Sequence, residues 1–301
     1  MMLANRKKWM QAKRKEAIAA YLFTLPAFLI LFGFHIMPAF VSLWLSLFEW
    51  NGLTDKWFIG IDNFIQAVQD KAFLKSIVNT FLLAAISIPL SLSLATVTAV
   101  LLNQKIRGLA MYRTIYFIPV VTMMIAVGVI WKWMYNSDFG LINILLGYAQ
   151  LPQPNWLTDP AFIMLSIALV AVWSNIGYNV VILLAGLQGI SGSYYEAAEI
   201  DGASPVHKFF RITLPLLTPS LFFLLVISLI STLQVFDLIF VMTNGNSTLL
   251  ETARTMVYGI YEQGFINFNM GYASAQAVLL FVIIMIITLI QMRWQKRWVH
   301  Y

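Results

Sequence analysis

The chain has 301 residues, 60% of them hydrophobic and only 11% charged, with a mean hydropathy of +0.79 and a formal net charge of +6. That balance excludes a soluble globular protein and leaves an all-α, polytopic membrane helical bundle. Cysteine is absent and the three histidines (His35, His207, His300) are scattered, so disulfides, thiolate ligands and a histidine metal cluster are excluded and no metal site is expected.

Residues 1–17 form a basic tail, with Arg6, Lys7, Lys8, Lys13, Arg14 and Lys15 against Glu16 alone. Directly before an apolar run, such a tail reads as a cytoplasmic topology anchor and not as a nucleic-acid-binding arm. The run from about 18 to 47 is too long for a signal-peptide core and lacks a small-residue cleavage site. It is expected to stay as the first of six spans, the others lying near 76–102, 112–134, 161–187, 216–242 and 273–292. Pro26, Pro38, Pro89 and Pro119 fall in or near these spans and predict kinks.

Fourteen lysines and arginines lie in the N-terminal tail, the 103–113 loop (Lys105, Arg107, Arg113), the loop after the fourth span (Lys208, Arg211) and the C-terminal tail. The other side carries only Lys56, Lys71, Lys75 and Arg254. Both termini and the Lys208 loop are therefore expected in the cytoplasm, in a bacterial-type inner membrane. Six tryptophans near the outer span ends, and Trp294 and Trp298 near the inner one, form the expected aromatic belt, with Lys132 as a snorkelling anchor.

Polar residues within spans are costly unless they face the bundle or a wet cavity. In the fourth span Asn175, Tyr178 and Asn179 project within a ~100° arc at about mid-depth. They are candidates for binding sugar hydroxyls or, in the case of the two asparagines, for bonding helix to helix. Trp173 faces away and suits a helix or lipid contact. In the fifth span Ser231, Gln234 and Asp237 share one stripe. Asp237 is either a proton or cation site or a hydrogen-bonded group below the outer surface; with no acid or histidine beside it to form a relay, the second is favoured.

Between these spans, residues 189–215 interrupt the apolar pattern and predict two short helices with a turn. Tyr195, Ala198 and Glu199 share a helical face, and Gly202 suits a left-handed helix end. Ser204 and Pro205 then open a second helix, which Pro215 is expected to limit by pushing Leu214 out of the α region. Acids sit on the first half (Glu196, Glu199, Asp201) and bases on the second (Lys208, Arg211), as a docking element needs.

The positions Glu196-Ala197-Ala198, Gly202, Ile212 and Leu214-Pro215, seven fixed residues over twenty, resemble the cytoplasmic signature loop of ABC-importer permeases. Outer stretches such as Phe58–Phe64, Asn136–Gly140, Asn155–Pro160 and Phe236–Thr243 resemble the carbohydrate branch of that family, in particular the larger maltose-type permease. Thr243–Ser247 departs from it, and the large outer insertion is missing. The resemblance implies a type I permease fold in residues 18–301. It also implies a coupling role for Tyr195, Glu196, Ala197, Ala198, Asp201, Gly202, Ile212, Leu214 and Pro215. Tyr178 and Ser231 match sugar-contacting positions of the maltose-type protein, whereas Asn175 replaces a glycine, and Val120 and Met124 replace polar contacts.

Further implied are a second permease subunit, an ATPase dimer, an extracytoplasmic solute-binding protein, a sugar or oligosaccharide substrate and surrounding lipid. The signature occurs once, and no Gly-rich phosphate loop ends in Lys-Ser or Lys-Thr. The chain is thus expected to be no enzyme, to hold no catalytic residue and no cofactor, and to leave ATP and Mg²⁺ to the partner. An ion- or proton-driven secondary transporter, a non-transporting scaffold and a glycerol-phosphate permease are the alternatives.

Overall fold

In a bilayer the backbone has no water to pair with, so apolar runs close their hydrogen bonds internally as helices. The computed structural model describes residues 2–104, 108–243 and 247–298. Lys105, Arg107, Asn244, Gly245, Asn246 and His300, each part of a sequence expectation, lie outside the described residues.

The first span consists of α1 (Met2–Leu31) and α2 (Met37–Leu45), joined by a π turn at Phe32–Ile36. Pro38 has no N–H and its ring crowds the carbonyl four residues back, which is where the wider turn sits. From Lys13 to Phe32 every side chain is exposed. A small hairpin of β1 (Phe48–Glu49) and β2 (Trp57–Phe58) and the short helix α3 (Asp62–Gln69) then lead to α4 (Lys71–Leu102), which runs through Pro89 unbroken. Asp70 caps α4 by accepting the Ala72 N–H at 2.8 Å.

The third span is two helices, α5 (Leu109–Val121) and α6 (Met124–Met134), bent by 101°. Pro119 accounts for a weak point here, and the direction of α6 follows from its packing on a later helix. There Gly128 lets Val241 approach to 3.1 Å from where a Cβ would stand. After α7 (Leu141–Tyr148), α8 (Ile163–Gln188) is the most buried span and packs along α4.

Next come α9 (Gly192–Ile200), α10 (Pro205–Lys208), a π turn at Phe209–Thr213, α11 (Leu214–Leu216) and α12 (Thr218–Leu233). Pro215 does not end the helix before it as expected. Leu214 keeps α backbone angles and its N–H reaches back five residues to Phe209, so a widened turn absorbs the proline. The bend, 63°, falls at Leu217 instead.

The fifth span also stops short of its expected end. α12 closes at Leu233, and α13 (Asp237–Thr243) is a separate helix. The gap is held by the Thr255 hydroxyl donating to the Val235 carbonyl at 3.1 Å and by Phe236 packed on Phe240, Tyr258 and Tyr261. Ser231, Gln234 and Asp237 therefore do not share a stripe. Asp237 opens α13 as an exposed side chain, suited to the helix N-terminus and not held beneath the surface.

The chain finishes with α14 (Ser247–Ala253), α15 (Met256–Tyr261), a π turn at Glu262–Ile266 and α16 (Met270–Trp298). Among the described residues, four helices are long and apolar enough to cross a membrane, and the two bent pairs make six spans when each pair counts as one. Lys132, half-buried at the end of α6, donates to the Val241 carbonyl in the last turn of α13 at 3.4 Å. Trp173 packs edge-on against Trp131 with ring centroids 5.6 Å apart, a helix contact as expected.

Candidate functional site

Of four apolar clusters among the described residues, the two largest stack along the bundle. One joins Leu83 of α4, Val127 of α6, Ile163 and Ile167 of α8 and Leu238 of α13. The other, toward the α9–α10 end, joins Ala95 and Ala99 of α4, Val180 and Leu183 of α8 and Leu217, Leu221 and Leu224. Polar residues fill the layer between them.

Ser87 and Ser91 of α4, Asn175 of α8, and Ser228, Ser231 and Thr232 of α12 line one small cleft at this level. Asn175 lies about 18 Å from the start of α8 at 1.5 Å per residue, near mid-depth. Its side chain is exposed, and its amide donates to the Ala171 carbonyl at 2.8 Å. Ser231 is also exposed and donates to the Ser228 carbonyl at 3.1 Å. Hydroxyls bonded back to their own helix keep lone pairs for a ligand. The cleft offers hydroxyl and amide groups without a charged side chain.

The five candidates thus separate. Asn175 and Ser231 come together, across α8 and α12. Asn179, only 1% exposed, instead donates to the Ser91 hydroxyl at 2.8 Å and fastens α8 to α4. Tyr178 is exposed on α8 outside the cleft, and Gln234 is the exposed residue that closes α12. Ser87, Ser91, Ser228 and Thr232 were missed in the sequence, although Ser87 and Ser91 stand one helical turn apart within an apolar run.

This separation has a measurable consequence. Asn179→Ala removes the bond between α8 and α4 and is expected to lower stability by about 0.6–2 kcal/mol, the range for bonds between membrane helices. Thermal unfolding of the detergent-solubilised chain reads it directly. Asn175→Ala, which breaks only a bond within its own helix, is expected to leave the transition within about 0.5 kcal/mol of the unmodified chain.

At the loop, Ser191 caps α9 and Ser204 caps α10, the latter by accepting the His207 N–H at 3.3 Å. Gly202 between them has φ +73 with open space around it, so it serves the left-handed turn and not a close contact. Asp201 closes α9. Tyr195 and Glu199, one turn apart, face α10 and the π turn. The Tyr195 hydroxyl lies 3.1 Å from that of Thr213, and Glu199 accepts from Lys208 Nζ at 2.7 Å. The Lys208 hydrogen bond, and then its charge, hold the Glu199 carboxyl below the usual carboxylate range. The stabilisation from that ionised carboxylate is present above the ordinary range and is lost as pH falls through the lowered value.

Glu196 and Ala197 point outward and are exposed, as is Ile200, whereas Ala198 is half-buried. Ile212, Leu214 and Pro215 are half-buried, and Leu214 packs on the second core. The signature thus divides into a surface half and a half rooted in the bundle.

Broken spans around a polar layer, with a helix-turn-helix rooted in the core beside the bend at Leu217, define an integral-membrane transport subunit. The chain belongs to the family of binding-protein-dependent transport system inner membrane components, matched over residues 64–301, and is a permease component of an ABC importer. It is 36% identical over 303 residues to the probable ABC transporter permease protein YesP of Bacillus subtilis (strain 168), covering 99% of this chain and 97% of that protein. It is 34% identical over 287 residues to the sn-glycerol-3-phosphate transport system permease protein UgpA of Yersinia pestis, covering 93% and 95%. Among solved structures, a chain of a bacterial alginate ABC transporter, in complex with an alginate pentasaccharide-bound periplasmic protein, superposes with a TM-score of 0.83 at 25% identity, covering 96% of this chain and 97% of that one.

Proposed function

We propose that the chain forms half of the translocation pathway for a sugar or oligosaccharide, with both termini cytoplasmic. A second permease subunit completes the pathway, and an extracytoplasmic solute-binding protein delivers substrate. A separate ATPase dimer binds ATP and Mg²⁺ and docks on α9 and α10. The observation that carries this is the loop itself: an exposed face of Glu196, Ala197 and Ile200 on a helix pair continuous with the π turn that leads into α12. ATP closure of the ATPase moves that pair, the bend at Leu217 passes the motion to α12, and the cleft at Asn175 and Ser231 changes its access.

The cleft as it stands has room for about one water, so a sugar enters only when the pathway opens; its hydroxyl and amide groups, which donate and accept, support a neutral polyhydroxyl ligand. Glycerol-phosphate is the second reading, favoured by the 34% identity to UgpA; the lack of a cation in the cleft counts against it.

Uptake by vesicles containing the chain with candidate partner subunits tests both readings, using neutral oligosaccharides, oligouronates and glycerol-3-phosphate in turn. Accumulation of a saccharide only with internal ATP is the expected result. Accumulation by the purified chain alone, without ATP, would sink the proposal, and accumulation of glycerol-3-phosphate alone would select the second reading. Within the working system, Asn175→Ala and Ser231→Ala are each expected to lower apparent affinity about 2- to 10-fold, the effect of one lost hydrogen bond.

A further inference from the structure

Tyr195 and Glu199 form the face of α9 turned to α10, beside the one offered to a partner. Each is tied to the segment leading into α12, and the ties meet. The Thr213 hydroxyl donates to the Lys208 carbonyl at 3.4 Å, which leaves it to accept from Tyr195 at 3.1 Å. Lys208 in turn donates through Nζ to Glu199 at 2.7 Å. The result is a closed ring of four residues: Tyr195 to Thr213, Thr213 to Lys208, Lys208 to Glu199, and Glu199 back along one turn of α9.

In the chain, α9 is joined to α10 through residues 201–204, including the left-handed Gly202. Glycine turns are compliant, and a force applied to α9 would be lost in bending one. Thr213 lies in the π turn and is 6% exposed, while the Lys208 side chain is 17% exposed. The ring is therefore rooted in the bundle on one side and open to solvent only at Glu199. A single exposed ion pair contributes little to stability. Its value here is geometric, since it fixes the angle between two helices too short to hold one another by packing.

We propose that Tyr195, Glu199, Lys208 and Thr213 are positioning residues that brace α9 against α10 and the π turn, so that motion imposed on the loop reaches α12 undiminished. This rests on the reading that an ATPase docks on the outward face of α9. The brace assigns Tyr195 and Glu199 to transmission and leaves docking to Glu196, Ala197 and Ile200.

The test uses the assembled complex and two readouts. One is retention of the ATPase on the purified chain. The other is ATP-driven change in maleimide labelling of Ser231→Cys, which would be the chain's only thiol. Glu199→Lys and Lys208→Glu, made singly, are expected to keep the ATPase bound while the ATP-driven change shrinks about fivefold or more, the lower end of an intersite coupling. The double exchange, Glu199→Lys with Lys208→Glu, restores the pair with reversed polarity and is expected to recover the signal; Tyr195→Phe is expected to reduce it in part. Single variants that lose the ATPase, singles that keep the full signal, or a double exchange that fails to recover it each overturn the brace. A Glu196→Lys chain that keeps both ATPase and signal overturns the docking reading, and the brace with it. So does an unmodified complex in which ATP leaves the labelling unchanged.

Discussion

Glu196→Lys is expected to abolish ATP-driven uptake and release the ATPase, with the chain still folded in the membrane. The reason lies in how α9 is divided. Tyr195 and Glu199 are occupied on the face turned to α10, whereas Glu196, about 100° round the helix from Tyr195 and about 60° from Glu199, is exposed without such a tie, beside the exposed Ala197 and an Ile200 that is 87% exposed. An acidic side chain flanked by alanine and isoleucine suits a partner that offers a base within an apolar rim. Reversing that charge replaces an attraction with a repulsion in a contact that loses water. The cost of truncating one member of such a pair is about 2–5 kcal/mol, so affinity is expected to fall at least about 30-fold. Glu196→Gln keeps the shape and is expected to cost less. Glu49→Lys makes the same change of charge at an exposed position of β1 and is expected to leave ATPase retention unaltered. Equal retention by Glu196→Lys and the unmodified chain would mean that the ATPase does not read this face.

The loop was legible because its signals are local. Gly202, Ser204 and Pro205 each act on their own backbone, and the structure shows a left-handed turn, a cap and a helix start where the sequence places them. The break in the third span was legible only as a kink at Pro119, and that in the fifth was not legible, because hydropathy runs on through Thr122–Met123 and Gln234–Phe236. What opens the second gap is distant in sequence: the Thr255 hydroxyl on the Val235 carbonyl and the Tyr258 and Tyr261 rings on Phe236. The candidate cleft was half legible for a related reason. Asparagine within a span is conspicuous, so Asn175 and Asn179 stood out together, yet only the position of Ser91 shows that Asn179 is committed to another helix. Serine is less conspicuous, since its hydroxyl bonds to its own backbone, as Ser87 does to the Leu83 carbonyl at 2.7 Å.

Gly177→Val is expected to have a large structural effect within the spans. Gly177 sits on α8 between Asn175 and Asn179, and its backbone needs no special conformation. Its function is to leave room. A Cβ there would overlap the Tyr116 carbonyl oxygen of α5 and lie 2.9 Å from a Val120 methyl. The methyl has freedom to turn away, but the carbonyl belongs to a helix backbone and moves only if α5 moves. Overpacking of a rigid contact costs about 1–3 kcal/mol or more, and two branched methyls against backbone belong at the upper end. Thermal unfolding in detergent is expected to show that loss, and Gly177→Ala a smaller one. Gly33→Ala, with nothing within 4 Å of the new carbon, is expected to stay within about 1 kcal/mol of the unmodified chain. Displacing α5 also disturbs α8 where it carries Asn175, so uptake is expected to fall even in the fraction of Gly177→Val that remains folded. Unchanged stability would show that α5 and α8 do not meet at Gly177.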